Sequence, residues 1–429
     1  MAPKLIILST SFPFGAGAEG NFLGPEVAHH SRNFSEVRII PSKVDSVDRS
    51  ASLPPNCIVE TELARRLAFG SLRILKALPI GIWCIRTPSA YASSQLFPSS
   101  GYLRSRLINC LNLGFARIIM EYLLEGISEG RFSVQETVFY SYWLKYTSLA
   151  LAWLKQSENL ACVVSRAHGS DLYAEHASFG VATGQPLVVS RLDRVYCISE
   201  SGRTYLSRQY PEYSDRFACH RLGSPNPGLI VQPSAVGAIR VVSCSRIIPL
   251  KQVDRIYRVL AHVRAVSRKK VIWTHFGDGP DLNSIKRLTQ SDTDPRFEIN
   301  FAGQKQLSEI YAHYRDQPCD IFINASISEG IPVSIMEALS CGLPAIAPDV
   351  GGVSEIVSPQ SGSILFGREA TDQDIAESII GMVNSKSEWH RRSELAHEFW
   401  KRNYEAESNY QQFSTELTSL LNETRIKHL

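Results

Sequence analysis

No stretch of the 429 residues approaches the roughly 20 apolar positions that a membrane-crossing helix requires. The most apolar run outside the strand-like segments, Ile74 to Ile85, is broken by Lys76 and Pro79. The opening run from Lys4 to Ser9 is too short for a signal-peptide core and reads as a first strand. C-x-x-C pairs are also missing: the nine cysteines are odd in number and scattered, several inside apolar runs, which favours a reduced, cytosolic compartment over a disulfide framework. Lysine–arginine blocks, zinc-ligand spacings and RNA-binding signatures do not occur, and the net charge is only +3. A general affinity for nucleic acid is therefore not expected. These absences predict a soluble or peripheral cytoplasmic protein.

What the chain does contain is an alternation of short β-branched runs with longer helix-period segments, the signature of parallel sheets covered by helices. The strand candidates are 5–8, 37–40, 138–140, 162–165 and 195–198 in the first half. In the second half they are 240–244, 271–276, 297–301, 321–324, 345–347 and 363–365. The length suits two domains. Two prolines and two glycines between Gly223 and Gly228 forbid a regular element, so a linker is expected over 223–237. The expected organisation is an N-terminal Rossmann-like domain over 1–222 and a C-terminal one over 238–400. A final helical segment, 401–429, is expected to cross back to the first domain.

In open α/β sheets ligands bind at the carboxyl ends of strands, which directs attention to four loops. After the first strand, Gly15, Gly17 and Gly20 let a backbone approach a phosphate, although the spacing is not a P-loop. After 162–165 come His168 and Gly169, with Asp171 within reach to orient the imidazole. After 240–244, Arg246 and Lys251 offer two cations, enough to neutralise a diphosphate, and the charge on a departing one, without a metal. After 321–324 comes the richest segment, from Glu329 to Pro344. There Pro332 suits the first position of a helix and Gly342 the position past its end. Ile331 carries no capping acceptor, so the N–H groups of Val333 and Ser334 invite an anion. Glu329 and Glu337 lie eight residues apart and bracket that point. Paired carboxylates also serve glycosidases, but a hydrolase leaves the phosphate-binding features without a purpose.

The segment from Ser328 to Pro344, followed by Asp349 to Val357, resembles the E-x7-E region of the GT4-type retaining glycosyltransferases of the GT-B fold. Arg246 and Lys251 resemble that family's diphosphate-binding pair. The run His168, Gly169, Ser170, Asp171 is similar to the H-G-x-D segment of its bacterial exopolysaccharide, capsule and O-antigen members. The resemblance implies two Rossmann-like doubly wound domains facing a central cleft. It also implies transfer from a UDP- or GDP-sugar to a glycan or lipid-linked acceptor in surface polysaccharide synthesis, with retention and without a metal or other cofactor. Carried over by position, Glu329 binds donor-sugar hydroxyls, Glu337 the ribose, and Arg246 and Lys251 the diphosphate. Gly330, Ile331, Pro332, Val333 and Ser334 offer backbone contacts, His168 sits near the sugar and acceptor, Gly15 and Gly17 approach the diphosphate, and Gly303, Gln304 and Leu307 lie near the base. Gln252 stands where many relatives have glycine or a basic residue.

Two other readings stay open: a sugar-nucleotide epimerase, and a noncatalytic scaffold that binds a partner transferase or the membrane. From Leu63 to Arg117 there are eight basic residues, among them Arg65, Arg66, Arg73 and Lys76, and no acidic one, with aromatics interleaved. This composition suits anionic lipid headgroups at the inner face of a cell membrane, or a lipid diphosphate. Oligomeric state is not legible.

Overall fold

The protein is described from a computed structural model covering residues 2–14, 18–44, 52–67, 70–86, 103–173, 183–235, 237–290 and 292–427. It divides into two compact units, one comprising Met1–Leu222 with Glu407–Leu429, the other Gly223–Ala406.

The first unit holds β1 (Lys4–Ser9), α1 (Ala18–Asn33), β2 (Glu36–Pro41), β3 (Cys57–Val59), α2 (Glu62–Leu67), α3 (Gly70–Arg86), α4 (Leu103–Ser128), β4 (Thr137–Ser141), α5 (Tyr146–Ser157), β5 (Cys162–Ala167), α6 (Gly169–Leu172), α7 (Gln185–Arg191), β6 (Arg194–Cys197), α8 (Glu200–Gln209) and β7 (Phe217–Cys219). Its strands form one sheet in the order β3-β2-β1-β4-β5-β6-β7, parallel throughout. The second unit holds β8 (Ala238–Cys244), α9 (Val253–Ser267), β9 (Lys270–Phe276), α10 (Leu282–Gln290), β10 (Phe297–Gly303), α11 (Leu307–Asp316), β11 (Ile321–Ile323), α12 (Val333–Ser340), β12 (Ala345–Pro348), β13 (Ile364–Phe366), α13 (Asp372–Val383) and α14 (Lys386–Asn403). These strands run β10-β9-β8-β11-β12-β13, again parallel. Both sheets are doubly wound, the α/β class expected from the alternation. Central strands such as Leu5–Leu8 are buried on both faces because helices cover both, which is why they read as continuous apolar runs.

The last helix, α15 (Ala406–Lys427), belongs to the first unit. It inserts Phe413, Leu417, Leu420 and Leu421 into the apolar cluster that contains Leu5, Ile7, Val37 and Tyr196. A buried polar network accompanies this packing. Glu26 accepts from Arg166 and from Tyr140 (2.8 Å), His30 lies 3.2 Å from Glu26 and 3.1 Å from Ser414 Oγ, and the Arg166 guanidinium covers the Phe413 ring. The boundary before this helix differs from the expected 400/401. Trp400 donates to Ser224 Oγ (2.8 Å) and Tyr404 to the Glu355 carbonyl (3.1 Å), so both stay with the second unit, and the chain leaves it only after Ala406.

Residues 225–235 carry no helix or strand. Part of this stretch is packed on the second unit: Val231 N–H donates to the Cys341 carbonyl (2.9 Å) and Cys319 N–H to that of Gln232 (2.9 Å).

One expectation is overturned. Within α4, Ser105–Ser128 is long and apolar enough by composition to cross a membrane. Its apolar character is hidden on a linear reading by Arg106, Arg117, Glu121 and Glu125. Half of its most apolar window is buried inside the structure.

Candidate functional site

In the second unit the strand order reverses between β8 and β11, so the loops after these two strands emerge side by side. The β8 loop carries Arg246 and Lys251, and the β11 loop carries Glu329. Ile327 N–H donates to the Leu250 carbonyl (2.9 Å), which ties one loop to the other. As a result Lys251 Nζ forms an ion pair with Glu329 Oε1, although 78 residues separate them. The same oxygen accepts from Ser326 Oγ (2.7 Å) and Asn324 Nδ2 (3.3 Å). Glu329 Oε2 has no partner among the described residues and remains available to a ligand hydroxyl.

Glycine contacts set the height of both loops. Gly351 has φ of 55°, and a Cβ there would stand 1.9 Å from the Glu329 carbonyl oxygen. Gly352 N–H donates to the Gly330 carbonyl (2.8 Å). On the other side Gly277, with φ of 137°, lies against the Ser245 carbonyl, and a Cβ there would approach that oxygen to 1.9 Å. The Ser245 carbonyl also meets His275 Nε2 at 3.1 Å, while His275 Nδ1 lies 2.8 Å from Ser243 Oγ, which accepts from Trp273 Nε1 (2.8 Å). Burial pushes His275 down to about 4, so the ring is neutral. A neutral ring satisfies both contacts when Nε2 carries the proton and donates to the Ser245 carbonyl. The loop that presents Arg246 is thus held from below by a chain of buried hydrogen bonds. Arg246 itself is exposed and has no acidic partner among the described residues.

Pro332 does not occupy the first helical position, as expected, but the capping position before it. Its ψ of 112° is extended, α12 starts at Val333, and no side chain caps the helix. Ile331 and Pro332 are buried, Val333 and Ser334 partly exposed, so the open N-terminal turn reaches the surface at the Glu329 loop. Glu337, in the second turn, is a partly exposed residue, yet desolvation by burial pushes its carboxyl up to about 8. Gly303 ends β10 with φ of 71°, Gln304 is exposed, and Leu307 opens α11. Gln252 adopts φ of 45°, a left-handed backbone that glycine adopts more readily than other residues.

In the first unit the same reversal lies between β1 and β4. Its organiser is Glu19, at the start of α1, which the sequence reading passed over. Its carboxylate accepts from the N–H groups of Thr10 (2.8 Å), Ser11 (2.7 Å) and Phe12 (3.0 Å) and from Trp143 Nε1 (2.7 Å). An acid in a helix's first turn, just after a glycine-rich loop, was the available signal. Trp143 packs against His168, centroids 4.4 Å apart, and Tyr142 lies at 5.0 Å. His168 is buried, and neither ring nitrogen has a partner among the described residues. Asp171 does not orient the ring by a hydrogen bond, as expected. Its carboxylate accepts from the backbone N–H of His168 (2.6 Å) and of Leu144 (2.9 Å), and the ring stands 3.7 Å away. Gly15 and Gly17 lie outside the described residues.

Residues 231–405 match the family described as "Glycosyl transferases group 1". A peptide N-acetylglucosaminyltransferase GtfA subunit of Streptococcus agalactiae is 25% identical over 156 residues, 35% of this chain and 29% of that protein. The alpha-monoglucosyldiacylglycerol synthase of Streptococcus pneumoniae is 28% identical over 169 residues, 39% of this chain and 37% of that protein. The chain thus aligns with less than two fifths of the length of either relative. The crystal structure of Anabaena Alr3699/HepE in complex with UDP and glucose shares the fold, with a TM-score of 0.63, 16% identity, and coverage of 97% of this chain and 100% of that one.

Proposed function

We propose that this chain, whose residues 231–405 match the glycosyl transferases group 1 family, transfers a sugar from a UDP- or GDP-sugar to a glycan acceptor, lipid-linked, in bacterial surface polysaccharide synthesis, with retention of configuration and without a metal. The observation that carries this reading is the joining of Lys251 and Glu329 at the strand-order reversal, beside an Arg246 with no acidic partner among the described residues and the uncapped start of α12. The diphosphate rests on Arg246, Lys251 and the N–H groups of Val333 and Ser334. Glu329 accepts from a sugar hydroxyl through its free oxygen, and Glu337 bonds the ribose. Placing a diphosphate beside Lys251 gives the ammonium a second anion to serve, so the pair with Glu329 doubles as a placeholder for the ligand.

The bond from the anomeric carbon to the phosphate oxygen breaks, and its electron pair stays on the diphosphate, where two cations and the helix start neutralise it. The acceptor hydroxyl attacks from the face the diphosphate leaves, and its proton passes to the departing phosphate oxygen. In the first unit the same reading gives the unpartnered His168 ring a hydroxyl to bond. Relatives whose names specify lipid or peptide acceptors support the reaction class but do not decide the acceptor.

The test is transfer of radiolabelled sugar in EDTA. Lys251→Ala is expected to lower turnover by about 10²-fold, the scale of losing one preorganised group at a developing charge. A strict need for Mg²⁺ or Mn²⁺, or a near-wild-type rate for the variant, contradicts the proposal.

A further inference from the structure

Helix α3 buries Ala77, Gly81 and Cys84 and exposes Leu72, Leu75, Ile82 and Trp83. Ala77, Gly81 and Cys84 face α4 so closely that a Cβ on Gly81 would stand 1.7 Å from the Cys110 carbonyl oxygen, and one on Gly114 2.0 Å from that of Ala77. The outward positions Leu72, Leu75, Pro79, Ile82 and Trp83 recur at the three- and four-residue spacing of a single helical face. Leu72 is 63% exposed, Leu75 68% and Trp83 48%. Leu107 of α4 is exposed as well. An apolar ridge of this length on a surface helix is the reverse of ordinary amphipathic packing and marks an interaction surface.

The charge at the ridge has one sign. Lys76 lies within the stripe and Arg86 at its end, with Arg106 on α4; all three are exposed, and none has an acidic partner among the described residues. Four other cations of this stretch are occupied, Arg65 by Glu62 at 3.8 Å. Arg66 pairs with Glu62 and Glu125, Arg117 with Glu121, and Arg73 folds over the Phe115 ring at 4.4 Å. The sequence from Leu63 to Arg117 contains no carboxylate to oppose an anionic surface. An apolar helical face with a tryptophan, flanked by cations that have no acidic partner among the described residues, is the chemistry of an interfacial helix lying on anionic lipid.

We propose that the outward face of α3, with Lys76, Arg86 and Arg106, docks the protein on an anionic bilayer. The face belongs to the first unit and lies outside residues 231–405, so vesicle binding and nucleotide binding are tested by different residues. The experiment is co-sedimentation of the full chain with phosphatidylglycerol-containing vesicles and with pure phosphatidylcholine vesicles, at low and high salt. Binding is expected to the anionic vesicles only, and to weaken as salt screens the charges. The triple variant Lys76→Gln, Arg86→Gln, Arg106→Gln is expected to bind about 100-fold more weakly. The variant Leu72→Ser, Leu75→Ser is expected to lose binding while keeping the wild-type melting temperature, since these two side chains are the most exposed of the ridge. Equal binding to both vesicle types, unchanged binding by either variant, or a wild-type dimer that the serine variant converts to monomer would overturn the proposal; the last would assign the ridge to a second copy.

Discussion

Glu337 offers a prediction that needs no knowledge of the substrate. Its carboxyl is raised from 4.5 to about 8 because burial penalises the charged form. Between these two values the folded protein holds a proton that the unfolded chain has released, so stability falls as pH rises through the window and levels off above it. At about 1.4 kcal/mol for each tenfold change, the window is worth about 5 kcal/mol, reduced to the extent that water reaches this partly exposed residue. Glu337→Gln keeps the shape and removes the titration. Histidines complicate the raw profile with the opposite sign. His220 and His275 are depressed from 6.5 to about 4, so each adds stability as pH rises between these values and nothing further above them. Subtracting wild type from variant cancels them. Urea unfolding of the ligand-free protein between about pH 5 and pH 8.5, followed through the buried Trp273, Trp389 and Trp400 of the second unit, is the assay. The variant is expected to gain on wild type by several kcal/mol across this range. A constant difference at all pH values would refute the placement of Glu337 in a desolvated site.

Gly351→Ala forces the Glu329 carbonyl to retreat by about 1.5 Å from a Cβ that would otherwise stand at 1.9 Å. Turnover is expected to fall by about 10²-fold while stability changes by only about 1–2 kcal/mol, measured by sugar transfer and urea unfolding; unaltered turnover would show that the loop height is unimportant. Glu26→Gln leaves Arg166 buried with its charge uncompensated, since burial opposes the ionisation of Glu26 but Arg166, His30 and Tyr140 hold its carboxyl below the ordinary value. A loss of about 3–5 kcal/mol in chemical denaturation is expected, and a loss under about 1 kcal/mol contradicts the role given to this network in anchoring α15.

The parallel strands were legible because burial on two faces demands apolar β-branched runs, and Val241–Val242 or Val163–Val164 leave no other reading. Strands β3 and β7 were not legible: three residues each, at the edges, are too short to show a period. Helix α4 was missed as an apolar span because its charges interrupt the line but cluster on the exposed side of the helix, as Arg106, Arg117 and Glu121 do. At the site, residue types at strand ends pointed to Arg246, Lys251, Glu329 and His168, since strand ends are where an open sheet places its ligands. Which of these touch was not readable. The Lys251–Glu329 pair depends on the Ile327–Leu250 hydrogen bond between two distant loops, and the support of Ser245 by His275 depends on strand register. Glu19 looked like an ordinary first-turn acid, and only the folded loop reveals the backbone N–H groups it gathers.

The claim at the centre of this account is that the second unit holds a nucleoside diphosphate on Arg246, Lys251 and the start of α12 without a metal. A thermal-shift panel of UDP, GDP, ADP and their sugar conjugates in EDTA tests it most directly. Ligand at about 100 times its dissociation constant stabilises by about 2.7 kcal/mol, a readily measured rise in melting temperature. Such a rise is expected with uridine or guanosine nucleotides, and its loss in Arg246→Ala and Lys251→Ala. No rise with any nucleotide, or a rise only when a divalent metal is restored, would contradict it.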